Sequence, residues 1–193
     1  EVHAQQGFDL GRGGSGEAWN GYASVGTRQE RFYAHASVSY QDRQHWELPG
    51  DFAGTSIQPE GERNRSGNRD SRVNLKLGFV PNATDEYTLS YTRQDGSKGA
   101  PLNVHQDPPN PPNSYWDWPM WDIENLYFLS NTQLSDTSYL KTRLYHNSFD
   151  NALFAYDNAS YTTQSNPGRF QSIYGDTGYG ESVEVGFRAI PNS

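Results

Sequence analysis

The chain has 193 residues, a formal net charge of −8, no cysteine and 33% hydrophobic residues, and its apolar material is largely aromatic, with 13 Tyr, 9 Phe and 5 Trp. The acidic balance argues against a nucleic-acid partner, and the lack of cysteine excludes disulfides and thiolate metal sites. This polar and aromatic composition differs from that of a soluble α/β enzyme, which fills its core with aliphatic residues. Tyr and Trp instead suit surfaces that are partly wet and partly apolar.

Alternation of apolar and polar residues predicts eight β-strands and no helix. The clearest strand is 72–80, in which Val73, Leu75, Leu77 and Phe79 share one face. In chain order the predicted strands are 2–10, 19–27, 31–46, 72–80, 87–94, 123–134, 139–150 and one that begins at residue 181. Each strand therefore has one apolar face and one polar face.

The connections between these strands alternate in length. Short turns are predicted at residues 28–30, 82–86 and 135–138, and long polar loops at 11–18, 47–71, 95–120 and 151–180. An aromatic stretch ends the third loop, and a short helical turn is an alternative for it. Tight turns on one side and long loops on the other are typical of an antiparallel, up-and-down outer-membrane barrel.

Four segments carry a family resemblance: 70–82 (DSRVNLKLGFVPN), 85–91, 94–101 and 116–130. Together they resemble the barrel of TonB-dependent outer-membrane receptors of the type that takes up iron–siderophore complexes. The likeness is strongest from residue 70 to residue 150. It implies an all-β fold in which residues 1–193 are one partial domain, about eight strands from the start of a 22-stranded barrel, with no plug domain.

The same resemblance implies several partners, and it implies that the intact protein lies in the bacterial outer membrane. The expected ligand is a ferric siderophore or a similar chelate, and the intact receptor would also involve a plug domain, TonB and outer-membrane lipid. No resident cofactor is implied. The polar faces that carry Arg72, Lys76, Lys141 and Arg143 are expected to face the lumen and plug, while the apolar face of strand 72–80 faces lipid.

Two groups of loop residues are candidates for ligand binding. Aromatic rings near His105 can stack on a catecholate or on the apolar faces of a chelate, and arginines on neighbouring loops can attract an anionic ferric complex. The candidates are Tyr115, Trp116, Trp118, Trp121, His105, Arg63, Arg65 and Arg169. The alternative for the aromatic residues is a girdle at the outer membrane interface, or packing within the loops.

Enzyme signatures are weak in this sequence. Residues 11–16 match G-x-G-x-x-G, but strand-like residues follow instead of a helix, which favours a flexible loop. No serine elbow, phosphate loop or metal-ligand spacing stands out, so neither an enzyme nor a metal site is predicted. The alternative fold is a soluble β-sandwich that binds carbohydrate through the Trp-rich loop, with two sheets facing across a dry core.

Overall fold

The computed structural model describes residues 1–9, 18–104 and 114–187, so His105 and the glycine-rich run 11–16 lie outside the described residues. The described part is all-β, without a helix. Its strands are β1 (Val2–Asp9), β2 (Ala18–Arg28), β3 (Phe32–Arg43), β4 (Trp46–Glu47), β5 (Glu62–Arg63), β6 (Asn68–Phe79), β7 (Glu86–Gly99), β8 (Tyr115–Ser135), β9 (Ser138–Tyr156) and β10 (Phe170–Phe187). These ranges include no helix of the length and apolarity needed to cross a membrane.

Eight strands form one antiparallel sheet in the order β1-β2-β3-β6-β7-β8-β9-β10. Strands β4 and β5 form a two-stranded hairpin within the connection between β3 and β6. Each main strand is hydrogen-bonded to the main strand that follows it along the chain, and every such pair is antiparallel. The predicted eight-stranded antiparallel meander is confirmed.

The connections differ strongly between the two ends of the sheet. Residues 29–31, 80–85 and 136–137 make the turns at one end, which we call the lower edge. The longer connections 44–67, 100–114 and 157–169 join strands at the other end, the upper edge. The predicted asymmetry of turns and loops is therefore confirmed.

The strands extend further towards the upper edge than predicted. The aromatic stretch lies in β8, which begins at Tyr115, so the prediction of a loop or helical turn there is wrong. Likewise, β9 ends at Tyr156 and β10 begins at Phe170, well before the predicted start at residue 181. The upper segments lack an apolar face, so their sequence carries no alternating signal. Backbone pairing with the neighbouring strands makes them extended.

A β-bulge accommodates Pro119 near the start of this extended β8. The register of β8 against β9 shifts between Asp117 and Met120, and its register against β7 shifts in the same region. Proline cannot donate to the ladder and is tolerated in strands at such irregularities. The bulge also reverses the face to which the side chains after it point, compared with a regular strand.

One face of the lower half is apolar. Cross-strand pairs such as Val38–Val73, Ala36–Leu75 and Phe32–Phe79 share this face, since paired residues point the same way. Most of the large apolar side chains on this face, which we call the apolar belt, are exposed: Val25, Phe32, Val38, Val73, Leu75, Leu77, Phe79, Leu89, Leu126, Leu144 and Val183.

Hardly any apolar side chain of the described residues is buried. Among the described residues only Ala18, Leu102, Ala152 and Ala155 are buried hydrophobics. No second large sheet covers the apolar belt within the described ranges. This arrangement differs from the two facing sheets and dry core that the sandwich alternative requires.

The opposite face of the lower half is polar. Asn74 donates to Ser37 Oγ at 3.1 Å and accepts from Thr92 Oγ1 at 3.0 Å, which links three strands. The Tyr33 ring lies against Gly78 of the neighbouring strand, where an added Cβ would come within 2.1 Å of the ring. The predicted separation of apolar and polar faces is confirmed for these strands.

Candidate functional site

The bulge in β8 brings three tryptophans to one face. In a regular strand Trp116 and Trp118 share a face and Trp121 points the other way, but the additional residue at the bulge reverses this for Trp121. The Lys98 Nζ contacts two of the rings, at 5.1 Å from the Trp118 centroid and 4.1 Å from the Trp121 centroid. Trp116 packs edge-on against Trp118, with centroids 6.2 Å apart. We call Trp116, Trp118 and Trp121 the indole cluster.

The indole cluster lies on the polar face of the sheet. Trp118 pairs with Lys98, and Lys98 pairs with Asn68, which shares a face with Lys76 by the two-residue period of β6. A membrane girdle formed by these rings would require them on the apolar face. Tyr115 is separated from the cluster, since it pairs with Tyr156 and contacts Tyr161 at a centroid distance of 6.1 Å.

A cavity of about 480 Å³ opens at the upper edge beside this cluster. Four cationic side chains and two carboxylates contribute to its lining, together with Trp118. The charged residues are Arg43, Arg65, Arg69, Lys98, Asp42 and Asp117. A second cavity of about 250 Å³ shares Lys98 and reaches Trp121. The site thus combines aromatic surface with an excess of positive charge, which suits an anionic ligand that carries rings.

Arg63 has a structural role in the described part of the chain. Its Nη1 donates to Gln58 Oε1 at 3.0 Å and its Nη2 donates to the Leu102 carbonyl. Gln58 is only 1% exposed, and its side-chain amide donates to the Pro59 and Glu62 carbonyls, both at 2.8 Å. Burial lowers the pKa of Arg63. Arg63 therefore holds loop 44–67 together and is absent from the lining of the large cavity.

Arg65 lines the cavity and connects three parts of the upper edge. Its Nη2 lies 2.7 Å from Asp117 Oδ2, and its Cζ lies 4.0 Å from the Tyr161 ring centroid. Arg65 and Tyr161 both have left-handed backbones, with φ of 59° and 54°. We call Arg65, Asp117 and Tyr161 the loop junction, because it joins loop 44–67, β8 and loop 157–169.

Arg169, the last predicted cation, closes loop 157–169 instead of lining the cavity. Its backbone N–H donates to the Asn166 carbonyl at 3.2 Å. The same loop is organised by Asp157, which accepts from the backbone N–H groups of Ser165 and Asn166, both at 2.9 Å. These two hydrogen bonds hold the pKa of Asp157 well below its usual range.

Sequence reasoning missed Lys98, Arg43 and Arg69 as site residues. Lys98 belongs to a segment predicted as loop, and the other two belong to strands β3 and β6 near their upper ends. Register brings Arg43 and Lys98 together through the pairs Arg43–Asn68 and Asn68–Lys98, whereas Arg69 pairs with Asp42 on the other face of the sheet. No local sequence signal reports such a pairing.

Comparison with known protein families, curated proteins and solved structures finds no match for this chain. The function of the chain is therefore inferred from the physical properties of the sheet and its upper edge. Two properties matter most: the exposed apolar belt below, and the cationic aromatic cavity above.

Proposed function

We propose that this chain forms part of the barrel wall of a TonB-dependent outer-membrane receptor, and that its upper-edge cavity takes an anionic ferric chelate of the siderophore class. In the intact receptor a plug domain, TonB and outer-membrane lipid would be its partners, and iron would be cargo. The observation that carries the proposal is the apolar belt, which is confined to one face and to the lower half of the sheet.

The dimensions of the belt suit a membrane. On β3 it extends from Phe32 to Tyr40, about 26 Å along the strand at about 3.3 Å per residue. With a tilt of about 40° this corresponds to about 20 Å along the membrane normal, close to the apolar band of about 25 Å in outer-membrane barrels. Aromatic rings flank it, with Phe79 stacked on Tyr87 below and Trp19 beside Tyr40 above.

A row of charges begins on the same face where the belt stops. Arg69 pairs with Asp42 at 3.1 Å, and Arg93 pairs with Asp95 at 2.8 Å. Charged side chains at this level are costly in hydrocarbon and favourable beside headgroups or water. The change from apolar to charged residues supports a lipid boundary just above Tyr40 on β3 and just above Tyr91 on β7, where Arg93 pairs with Val73.

Neither the belt nor the sheet edges suit exposure to water. Soluble monomers rarely expose contiguous apolar patches of more than a few hundred Å². In the described residues, β1 and β10 each have a hydrogen-bonded neighbour on one side only. A sheet in lipid needs all its edges paired, so pairing with further strands is part of the proposal.

The cavity supports an anionic aromatic ligand. Catecholate rings can stack on the indoles, and the negative charge of a ferric tris(catecholate) can be neutralised by the cations that line the cavity. Lys98 has a central position because its ammonium already lies between Trp118 and Trp121. A cation sandwiched in this way is well placed to bind an anion above the ring edges.

The membrane orientation can be tested with nitroxide labels at Leu75 and Lys76, which are adjacent in β6 and point to opposite faces. In the intact protein in lipid vesicles, we expect a label at residue 75 to be accessible to oxygen and protected from a water-soluble nickel chelate. A label at residue 76 should show the reverse. Equal accessibility of both labels to the nickel chelate would contradict the orientation.

Ligand binding can be tested separately with ferric tris(catecholate), measured by equilibrium dialysis. Trp118→Ala and Lys98→Gln should each weaken binding about two- to thirtyfold, since a cation–π contact is worth about 0.5–2 kcal/mol. The matched control is Trp19→Ala, which removes an indole from the apolar face. Unchanged binding in both site variants, or an equal loss in the control, would argue against this site.

A further inference from the structure

We infer that Asp117 competes with the anionic group of the ligand for Arg65, and that its displacement releases loop 157–169 from the upper edge. This inference rests on the proposed function, because it concerns the same cavity. Arg65 is the residue that selects for negative charge in the ligand. The loop junction is the part of the site that responds to binding.

The Arg65–Asp117 pair is accessible to a ligand. Both residues line the 480 Å³ cavity, and their side chains are 33% and 27% exposed. An ion pair in such a partly exposed position gains only modest net stability, so a better anion can replace the carboxylate. A ligand anion can therefore compete with Asp117 for Arg65 at this 2.7 Å contact.

Arg65 has unused donor capacity. The carboxylate of Asp117 interacts with Nη2, whereas the buried Nε of Arg65 has no hydrogen-bond partner within the described residues. Guanidinium groups bind carboxylates, phosphates and similar anions most strongly through two parallel N–H donors. Once the guanidinium turns and exposes this donor, a ligand with paired anionic oxygens can use it and thus outcompete Asp117.

The same guanidinium holds loop 157–169 through Tyr161. It stacks on the Tyr161 ring, and Tyr161 in turn packs edge-on against Tyr156 at a centroid distance of 5.4 Å. Left-handed backbones at Arg65 and Tyr161 are unfavourable for non-glycine residues and persist only while surrounding contacts hold them. When the guanidinium turns towards a ligand, the stacking is lost and the backbone can relax.

Loop 157–169 can move as one piece because its own hydrogen bonds, which include the Tyr161 N–H donating to the Asn158 carbonyl at 3.2 Å, do not involve Arg65 or Asp117. Asp157 Oδ2 accepts from the Ser165 hydroxyl at 2.8 Å, and Gln164 Nε2 donates to the Ala155 and Phe170 carbonyls at 3.1 Å and 3.0 Å. The expected motion is a hinged displacement of the loop. Local unfolding is not required.

The test measures the distance between loops 44–67 and 157–169. Because the chain has no cysteine, Asp51→Cys and Pro167→Cys provide unique sites for two nitroxides in the intact protein in lipid vesicles. The probes are gallium(III) tris(catecholate), which is anionic, and gallium(III) tris(acetohydroxamate), which is neutral and similar in shape. We expect the anionic complex to lengthen and broaden the distance distribution and the neutral complex to leave it unchanged.

Two carboxylate variants distinguish competition for Arg65 from a general change in the charge of the cavity. Asp117 holds the guanidinium in the orientation that stacks on Tyr161, so Asp117→Asn should lengthen the inter-loop distance even without any complex, and should raise the affinity for the anionic complex about tenfold. The control is Asp42→Asn, which removes a carboxylate of the same cavity that pairs with Arg69, so its inter-loop distance should stay at the wild-type value.

The inference is overturned if Asp117→Asn has the same inter-loop distance as wild type, and this measurement needs no ligand. Failure of the proposed function gives a different result. In that case the gallium catecholate complex binds neither wild type nor variants, while the Asp117→Asn distance can still change. Binding without any effect of Asp117 on distance or affinity would refute competition and leave the proposed function intact.

Discussion

The lower and upper halves of the sheet use the same strands in different ways. Along β8, Leu126 belongs to the apolar face of the lower half, and two residues further up Glu124 accepts a hydrogen bond from Tyr91 at 3.0 Å. The backbone ladder continues unchanged through this boundary. Backbone pairing, ion pairs and ring contacts maintain the upper half, whereas the lower half presents an exposed apolar surface on one face.

The largest expected effect comes from placing a charge in the belt. Leu77 is 57% exposed on the apolar face, and Leu77→Arg should destabilise the membrane-inserted protein by about 2–4 kcal/mol if that face meets the bilayer centre. Ser71→Arg, on the same face of the same strand but at the upper end of the belt opposite Tyr40, should cost about 0–1 kcal/mol. Urea titrations in lipid vesicles measure both values. Equal costs would remove the distinction between the halves.

A smaller effect is expected from the glycines. Gly78→Ala should destabilise the lower half by about 1–3 kcal/mol, because the new Cβ would come within 2.1 Å of the Tyr33 ring. Gly178→Ala in β10 is the control, since an added Cβ there meets no atom within 4 Å. The free energy of unfolding should fall in the first variant only. Adding Tyr33→Ala should restore part of the loss in Gly78→Ala.

The smallest effect concerns pH and is confined to the upper half. Folding of loop 157–169 lowers the pKa of Asp157, so its carboxylate stabilises the loop above the unfolded value of about 4. This stabilisation should be lost progressively as the pH falls below about 4 towards the folded pKa. Amide hydrogen exchange of residues 165 and 166 should accelerate in this range. In Asp157→Asn exchange should already be faster at neutral pH, and a persistent acid-dependent step would implicate another group.

Much of the lower half could be predicted from local patterns. The alternation in 72–80 and the short turns at 28–30 and 82–86 depend on residues within a few positions of each other, and the structure has strands and turns at these places. The upper half could not be predicted in the same way. Its strand segments, such as 115–122 of β8 and 170–180 of β10, carry polar, aromatic or glycine residues on both faces and lack a period-two signal.

The candidate site follows the same division. Its aromatic residues and Arg65 were identifiable by chemistry alone, since clustered tryptophans and loop arginines are recognisable in any sequence. Their partners were not identifiable. Lys98 joins Trp118 only through the register of β7 and β8, and Arg65 meets Asp117 only because loop 44–67 folds over the upper edge.

Local sequence pattern is enough to predict the strand class, the up-and-down order, the separation of faces in the lower half and the asymmetry of the connections, because these depend on a two-residue period and on connection length. Long-range pairing sets where the strands end, on which face the indole cluster lies and which charges meet in the cavity. These features depend on inter-strand register and on a single bulge at Pro119, and a shift of one residue would reverse them.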